Sequence, residues 1–251
     1  MVHVTGTLIN AGTVLAGTTT GTLLGERLPE RIREIVMDVL GLVTLITGVA
    51  EGLQVFQPPL TGLVGGTASG GVPVLIVLGS LLVGGIAGEL VGIERGLTAA
   101  GDALKRRLAR GQPRFTEGFV VASLVFCVGP LTILGSLRDG LSGDYSLLAI
   151  KAMLDGFAAL AFSSALGWGV GVSVLTILVY QGGLSLLAGT VAGAIGDPSR
   201  SPAIAAVTAT GGLLIIAIGL RLLRVREVRV ANLLPALAIA PAAVLIVERL
   251  R

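Results

Sequence analysis

The sequence is short of most of what a soluble enzyme of its size relies on. It has one histidine, His3, and one cysteine, Cys127. A single cysteine excludes an intrachain disulfide and any cysteine-rich metal centre. Cys127 lies in an apolar run, where a thiol packs as a small hydrophobe. One histidine beside a terminus provides neither a catalytic imidazole nor a metal cluster. Charged residues fill 13% of the 251 positions, against roughly 25% in a soluble domain. A nucleophile elbow, a phosphate loop and a dinucleotide fingerprint are all missing. The run Gly167-Trp168-Gly169-Val170-Gly171 is membrane-adjacent and is not a nucleotide motif. These gaps point away from an enzyme, a cofactor and a metal site. The net charge of +3 gives no footprint for nucleic acid, because the basic residues sit in short segments between apolar runs.

Hydrophobic residues make up 53% of the chain, and there are 38 glycines. No Gly-X-Y period exists, so collagen is excluded. Abundant glycine instead fits helices that approach closely in lipid. Crossing the hydrocarbon takes ~20 mostly apolar residues. Stretches of that kind lie at 6–24, 32–55, 72–91, 115–137, 147–166, 169–192, 204–223 and 231–247. They predict an all-α, polytopic membrane bundle of about eight transmembrane helices, organised as one domain over 1–251. The last stretch is short and holds Pro235 and Pro241, which bend helices. The fifth and sixth are joined only by Gly167 and Trp168, so a re-entrant piece is the alternative there. The start lacks a basic segment and a small-residue cleavage site, so it reads as a retained helix. The longest polar stretch, 94–114, reads as a loop or an amphipathic helix.

Loop charge orients this partition. Under eight spans, one side collects Arg27, Arg31, Arg33, Arg95, Lys105, Arg106, Arg107, Arg110, Arg114, Arg221, Arg224, Arg226 and Arg229. That is 13 of the 18 basic residues. The other side holds Arg138, Lys151, Arg200, Arg249 and Arg251. The positive-inside rule puts the first side in the cytoplasm. The expected location is the bacterial cytoplasmic (inner) membrane, with both termini outside.

Two glycine ladders stand out. One is Gly17, Gly21 and Gly25; the other is Gly84, Gly88 and Gly92. Glycine at every fourth position leaves a flat groove that another backbone enters. Helix packing is the expected role, within the chain or across a homodimer. The echo of Glu117-Gly118-Phe119 in Asp155-Gly156-Phe157, on oppositely directed spans, suggests an inverted repeat.

Ionisable and amide groups inside apolar spans are costly, so they face a partner, a cavity or a pathway. Asp155 is the clearest case. Lys151 is four residues earlier and shares its helix face. Glu51, Asn10 and Gln181 are the other intramembrane polar residues. The candidate solute or ion site is therefore Asn10, Glu51, Lys151, Asp155 and Gln181, set against the plainer reading of paired structural groups. Asp38, Glu89, Glu94 and Glu117 lie near basic clusters and read first as salt-bridging groups. Glu89 is notable for sitting inside a ladder. Pro130 breaks an apolar span, and broken helices expose carbonyls that bind cations. The tail from Asp139 to Asp144 looks like a partial oxygen-ligand loop but lacks the full calcium pattern.

An ordered series of motifs runs along the chain: Leu28-Pro29-Glu30-Arg31, Gly88-Glu89, Glu117-Gly118-Phe119 and Phe126-Cys127-Val128-Gly129. Gly135 to Asp144, Lys151, Leu154-Asp155-Gly156 and Tyr180-Gln181-Gly182 follow. Thr208 to Gly212 and Asn232 to Leu237 complete it. In this order the chain resembles the bacterial membrane-protein family called domain of unknown function 554, over essentially its whole length. The resemblance implies a polytopic inner-membrane protein of the kind described as a transporter.

Two functions compete at this point. The first is a transporter or channel for a small solute or ion, motivated by the intramembrane polar set. The second is a non-transporting membrane scaffold or regulator, motivated by the glycine grooves and the basic stretch 105–114, which suits anionic lipid. The expected partners are the lipid bilayer, a small solute or ion, and a second copy of the chain.

Overall fold

The computed structural model describes residues 3–25, 27–63, 71–109, 111–188 and 201–250, and among these every regular element is a helix. In chain order they are α1 (Thr5–Gly25), α2 (Glu30–Gly52), α3 (Gly71–Val91), α4 (Ile93–Leu108), α5 (Phe115–Cys127) and α6 (Pro130–Ser142). Then come α7 (Ser146–Leu166), α8 (Gly169–Val172), α9 (Val174–Leu186), α10 (Pro202–Leu222) and α11 (Ala236–Arg249). Short 3₁₀ turns occupy Leu53–Phe56, Leu60–Leu63 and Val230–Leu233. Residues 189–192 of the sixth predicted span lie outside the described residues, as do Arg110, Arg200 and Arg251.

The chain divides into two compact units. The first comprises Met1–Leu42 and Arg95–Val191; the second comprises Val43–Glu94 and Ala192–Arg251. In the first, α1 lies along α7, while α6 and α9 pack on one another and on α1. Its apolar filling includes the fully buried Phe115, Phe126, Phe162, Leu148 and Ile177. The rings of Phe126 and Phe162 meet edge to face at 6.5 Å. In the second unit, α3, α10 and α11 enclose Ile76, Val77, Ala203, Ala206, Ala240 and Val244.

Burial is inverted relative to a soluble protein. Ile46 is 72% exposed and Leu90 80% exposed, whereas Asn10, Asp139 and Gln181 are 0% exposed. In water such large apolar faces would drive association. In hydrocarbon they are the solvated surface, and polar groups turn inward because lipid offers them no hydrogen bonds.

The span count differs from the sequence expectation of about eight. Among the described residues, six segments are long and apolar enough to cross a membrane: Glu30–Leu63, Gly71–Val91, Ser146–Leu166, Gly169–Leu186, Pro202–Leu222 and Val230–Arg249. A bent pair, α5 with α6, raises the number to seven if it counts as one span. Two physical reasons account for the difference. The 21 residues of α1 have the right length, but their threonines, glycines and Asn10 make them less apolar than the six. The stretch read as one span over 115–137 is two helices inclined at 63°. Gly129 sits at φ 139°, a conformation that residues with a Cβ rarely adopt. Pro130 cannot continue the preceding ladder of hydrogen bonds, but it fits the first turn of the next helix.

The glycine ladders are occupied within the chain. A Cβ on Gly17, Gly21 or Gly25 would overlap the backbone carbonyls of Gly156, Leu160 and Ser164, all on α7. In the second unit, Gly84 abuts Ala236 and Gly88 abuts the Asn232 carbonyl. Gly92 departs from the ladder role, since it ends α3 at φ 75° and turns the chain into α4. Two further contacts had no ladder to signal them. Gly48 and Gly212 bring α2 and α10 into backbone contact, and Gly169 does the same against Phe115.

Candidate functional site

The polar residues of the first unit converge on α1. Asn10 is fully buried, and its Nδ2 donates to Asp155 Oδ2 at 2.9 Å and to Gln181 Oε1 at 2.9 Å. The Nε2 of Gln181 donates to Thr7 Oγ1 at 3.2 Å. Lys151 Nζ donates to the same Asp155 oxygen. Three helices thus share one network: α1 through Thr7 and Asn10, α7 through Lys151 and Asp155, and α9 through Gln181. The helical repeat explains the grouping. Thr7 and Asn10 are three apart on α1, and Lys151 and Asp155 are four apart on α7, so each pair lies on one face.

α6 brings a second carboxylate to the same helix. Asp139 is 0% exposed, and its Oδ2 accepts the Gly6 backbone N–H at 3.0 Å. Gly6 lies in the first turn of α1, where backbone donors lack helical acceptors. A carboxylate there also meets the positive end of the helix dipole.

Within the network Asn10 Oδ1 is buried without a hydrogen-bond partner, and so are Thr18 Oγ1, Ser136 Oγ, Asp139 Oδ1 and Ser185 Oγ elsewhere in the first unit. An unmet buried polar group costs about 1–3 kcal/mol, so a water or ligand partner for these oxygens would be stabilising. The set is rich in oxygen, and its two buried carboxyls, Asp139 and Asp155, accompany one ammonium, Lys151. That chemistry suits a hydrated cation, a proton or a small polar solute.

Four of the five residues singled out from the sequence, namely Asn10, Lys151, Asp155 and Gln181, form this network. Glu51 belongs to the second unit, where its Oε2 is buried without a partner. Thr7, Ser136 and Ser185 were not anticipated. Their signal was spacing: each lies three or four residues from a polar group already noted. Asp139 and Asp144 do not form a common ligand loop. Asp144 is exposed, and its Oδ1 accepts the hydroxyl and backbone N–H of Ser146 at 2.6 and 3.1 Å. Those bonds, the Ser146 hydroxyl foremost, hold its carboxyl below the usual range.

Of the four acidic residues expected to salt-bridge, Glu89, Glu94 and Glu117 pair with arginines. Glu117 meets Arg114 at 3.1 Å and Glu89 meets Arg229 at 2.6 Å. Glu94 accepts Arg221 Nη1 at 2.9 Å and the Ala231 backbone N–H at 2.8 Å. Asn232 completes this second-unit cluster. Its Oδ1 accepts the Glu94 backbone N–H at 2.7 Å, and its Nδ2 donates to Glu89 at 2.7 Å. Glu89 thus acts from inside its glycine ladder as an anchor for the segment after α10.

The model of the family "Protein of unknown function (DUF554)" matches residues 5–245. The "Uncharacterized membrane protein YdfK" of Bacillus subtilis (strain 168) is 28% identical over 243 residues, covering 97% of this chain and 96% of its own. The "Uncharacterized protein YqgA" of Escherichia coli (strain K12) is 33% identical over 243 residues, covering 94% of each chain. No solved structure matches.

Proposed function

The chain belongs to the DUF554 family of membrane proteins, and from that premise we propose that it moves a small solute or ion across the membrane. One observation carries the reading. The Lys151–Asp155–Asn10–Gln181 network is buried among membrane-length helices and leaves Asn10 Oδ1 without a partner. Charged and amide groups at such depth are expensive, and they mark ion or solute paths. The oxygen-rich set favours a cation, or a proton exchanged for a solute. The break between α5 and α6 supports the same reading, since interrupted helices frame binding sites in transporters. The glycine ladders lend less to a scaffold role, because α7 and the segment around Asn232 and Ala236 already cover them.

The membrane we propose is the bacterial cytoplasmic (inner) membrane. Counting α1 as a crossing and α5 with α6 as one broken crossing returns an even total. The 13 basic residues of the three main clusters, among 18 in all, then face the cytoplasm. Both termini are outside. Reporter fusions at the two ends test this, and a cytoplasmic reporter at either end would sink it.

The functional test is flux into proteoliposomes, screened over monovalent cations, protons and small polar metabolites. Flux above empty liposomes that is lost in Asp155→Asn and Asn10→Leu is the expected result. Absence of flux for every solute, in protein shown to be folded, would overturn the transport reading.

A further inference from the structure

A cavity with polar side chains in its lining lies in the first unit, apart from the network around Asn10. It has a volume of about 200 Å³, far above the ~15 Å³ that admits one water. The C-terminal ends of α1 and α7, the first turn of α2 and the segment before α5 surround it. Its lining includes Thr22, Arg33, Gln112, Arg114, Ser163 and Ser164.

The side chains here hold unused donors, set against the negative C-terminal ends of α1 and α7. Arg33 spends Nε and Nη2 on the Gly25 carbonyl, at 3.1 and 2.6 Å. Its Nη1 has only the distant carboxylate of Glu30, at 4.0 Å. Arg114 spends Nε on Glu117 at 3.1 Å, which leaves both terminal nitrogens. Gln112 uses its carbonyl oxygen to accept the Trp168 backbone N–H at 3.3 Å, so its amide N–H groups remain. Thr22 is among the lining residues and is 5% exposed, and its buried hydroxyl has no partner. The α7 end is largely self-satisfied: the Ser163 and Ser164 hydroxyls bond within their own helix, and Gly167 N–H caps the Ser163 carbonyl. Directly after Arg114, α5 begins with no side-chain cap, and its free amides add positive potential.

We propose that this cavity binds an oxyanion of the phosphate class, gripped by Arg33 and Arg114 and oriented by Thr22 and Gln112. Guanidinium groups present paired donors that match phosphate oxygens. The shared chemistry is a phosphate group, supplied either by a free anion or by the headgroup of an anionic lipid. The site stands independently of transport by the inner network.

The test uses full-length protein in uncharged detergent and in lipid nanodiscs. Thermal unfolding is followed against added inorganic phosphate, with sodium chloride at matched ionic strength as the reference. Parallel nanodiscs contain phosphatidylcholine with or without phosphatidylglycerol. Arg114→Gln and Thr22→Val are compared with wild type. Arg33 is left intact because it caps α1. A phosphate-dependent rise in Tm, with affinity weakened about tenfold in both variants, or 1.4 kcal/mol, identifies a soluble oxyanion. A variant-sensitive rise with phosphatidylglycerol but not with phosphate identifies the lipid headgroup. An equal rise in all three proteins is general salting-out and overturns the site. No rise with either ligand overturns it as well. Thr22→Val keeps the shape of the side chain, so it carries the readout should Arg114→Gln fail to fold.

Discussion

Asn10 and Asp155 are 145 positions apart in the sequence, yet one amide hydrogen bond of 2.9 Å joins them. The same nitrogen also reaches Gln181, so a single side chain couples α1, α7 and α9. Replacing Asn10 by Leu removes both bonds and strands Gln181 Oε1. Polar contacts between membrane helices average ~0.6 kcal/mol and reach ~1.7. A loss near the upper figure is expected in reversible unfolding in detergent, together with loss of flux. Unchanged stability would mean that the three helices hold together without this residue.

Lys151 and Asp155 form a buried ion pair. Breaking such a pair from one side costs about 3–5 kcal/mol, because an unmatched charge is left behind. Removing both partners together costs far less. Lys151→Met and Asp155→Leu should each lower the unfolding midpoint strongly, and the double variant should recover much of the loss. The coupling energy from this double-mutant cycle is the measurement. Additive effects would show that the two groups do not depend on one another. The cycle also separates roles: the double variant recovers stability but not transport if the pair serves the path.

Much of this was legible because hydropathy and helical spacing are local. The apolar stretches showed the membrane class, and the four-residue step from Lys151 to Asp155 showed the ion pair. The ladder at Gly17, Gly21 and Gly25 announced a close backbone approach but not its partner. That partner, α7, is chosen by tertiary packing. Convergence of Asn10 with Gln181 is likewise a long-range fact, and so is the assignment of Glu51 to the second compact unit. The span count differs because length and polarity disagree in α1, and because a kink at Pro130 and two separate helices have the same sequence signature.

The ladder gives a third prediction. A Cβ at Gly21 would overlap the Leu160 carbonyl, which belongs to a backbone and cannot swing away. Gly21→Val should therefore force α1 off α7. Overpacking costs about 1–3 kcal/mol in ordinary cores, and this interface should sit at the upper end. Gly12 lies on the same helix with nothing within 4 Å of its Cβ position. Gly12→Ala should be neutral or stabilising, by up to ~1 kcal/mol from helix propensity. Thermal unfolding of the two variants side by side tests the contrast, and similar behaviour would refute the packing assignment.

The second unit offers a separate test in Asn232. Its carbonyl oxygen accepts the Glu94 backbone N–H, while its amide holds Glu89. Glu94 in turn receives Arg221 and the Ala231 backbone. Asn232→Leu deprives a backbone donor and a carboxylate of partners at once, whereas Asn232→Asp keeps the acceptor and loses only the donor to Glu89. Each lost bond to a charged group is worth about 1.5–3 kcal/mol, reduced at Glu89, where solvent reaches the ion pair with Arg229. Asn232→Asp also sets two carboxylates side by side, so added salt should relieve part of its deficit through screening. The expected order of unfolding midpoints is wild type, then Asn232→Asp, then Asn232→Leu, with salt narrowing only the first gap. A salt response in the leucine variant instead would show that repulsion among Glu89, Glu94 and their neighbours, rather than the missing acceptor, sets the loss.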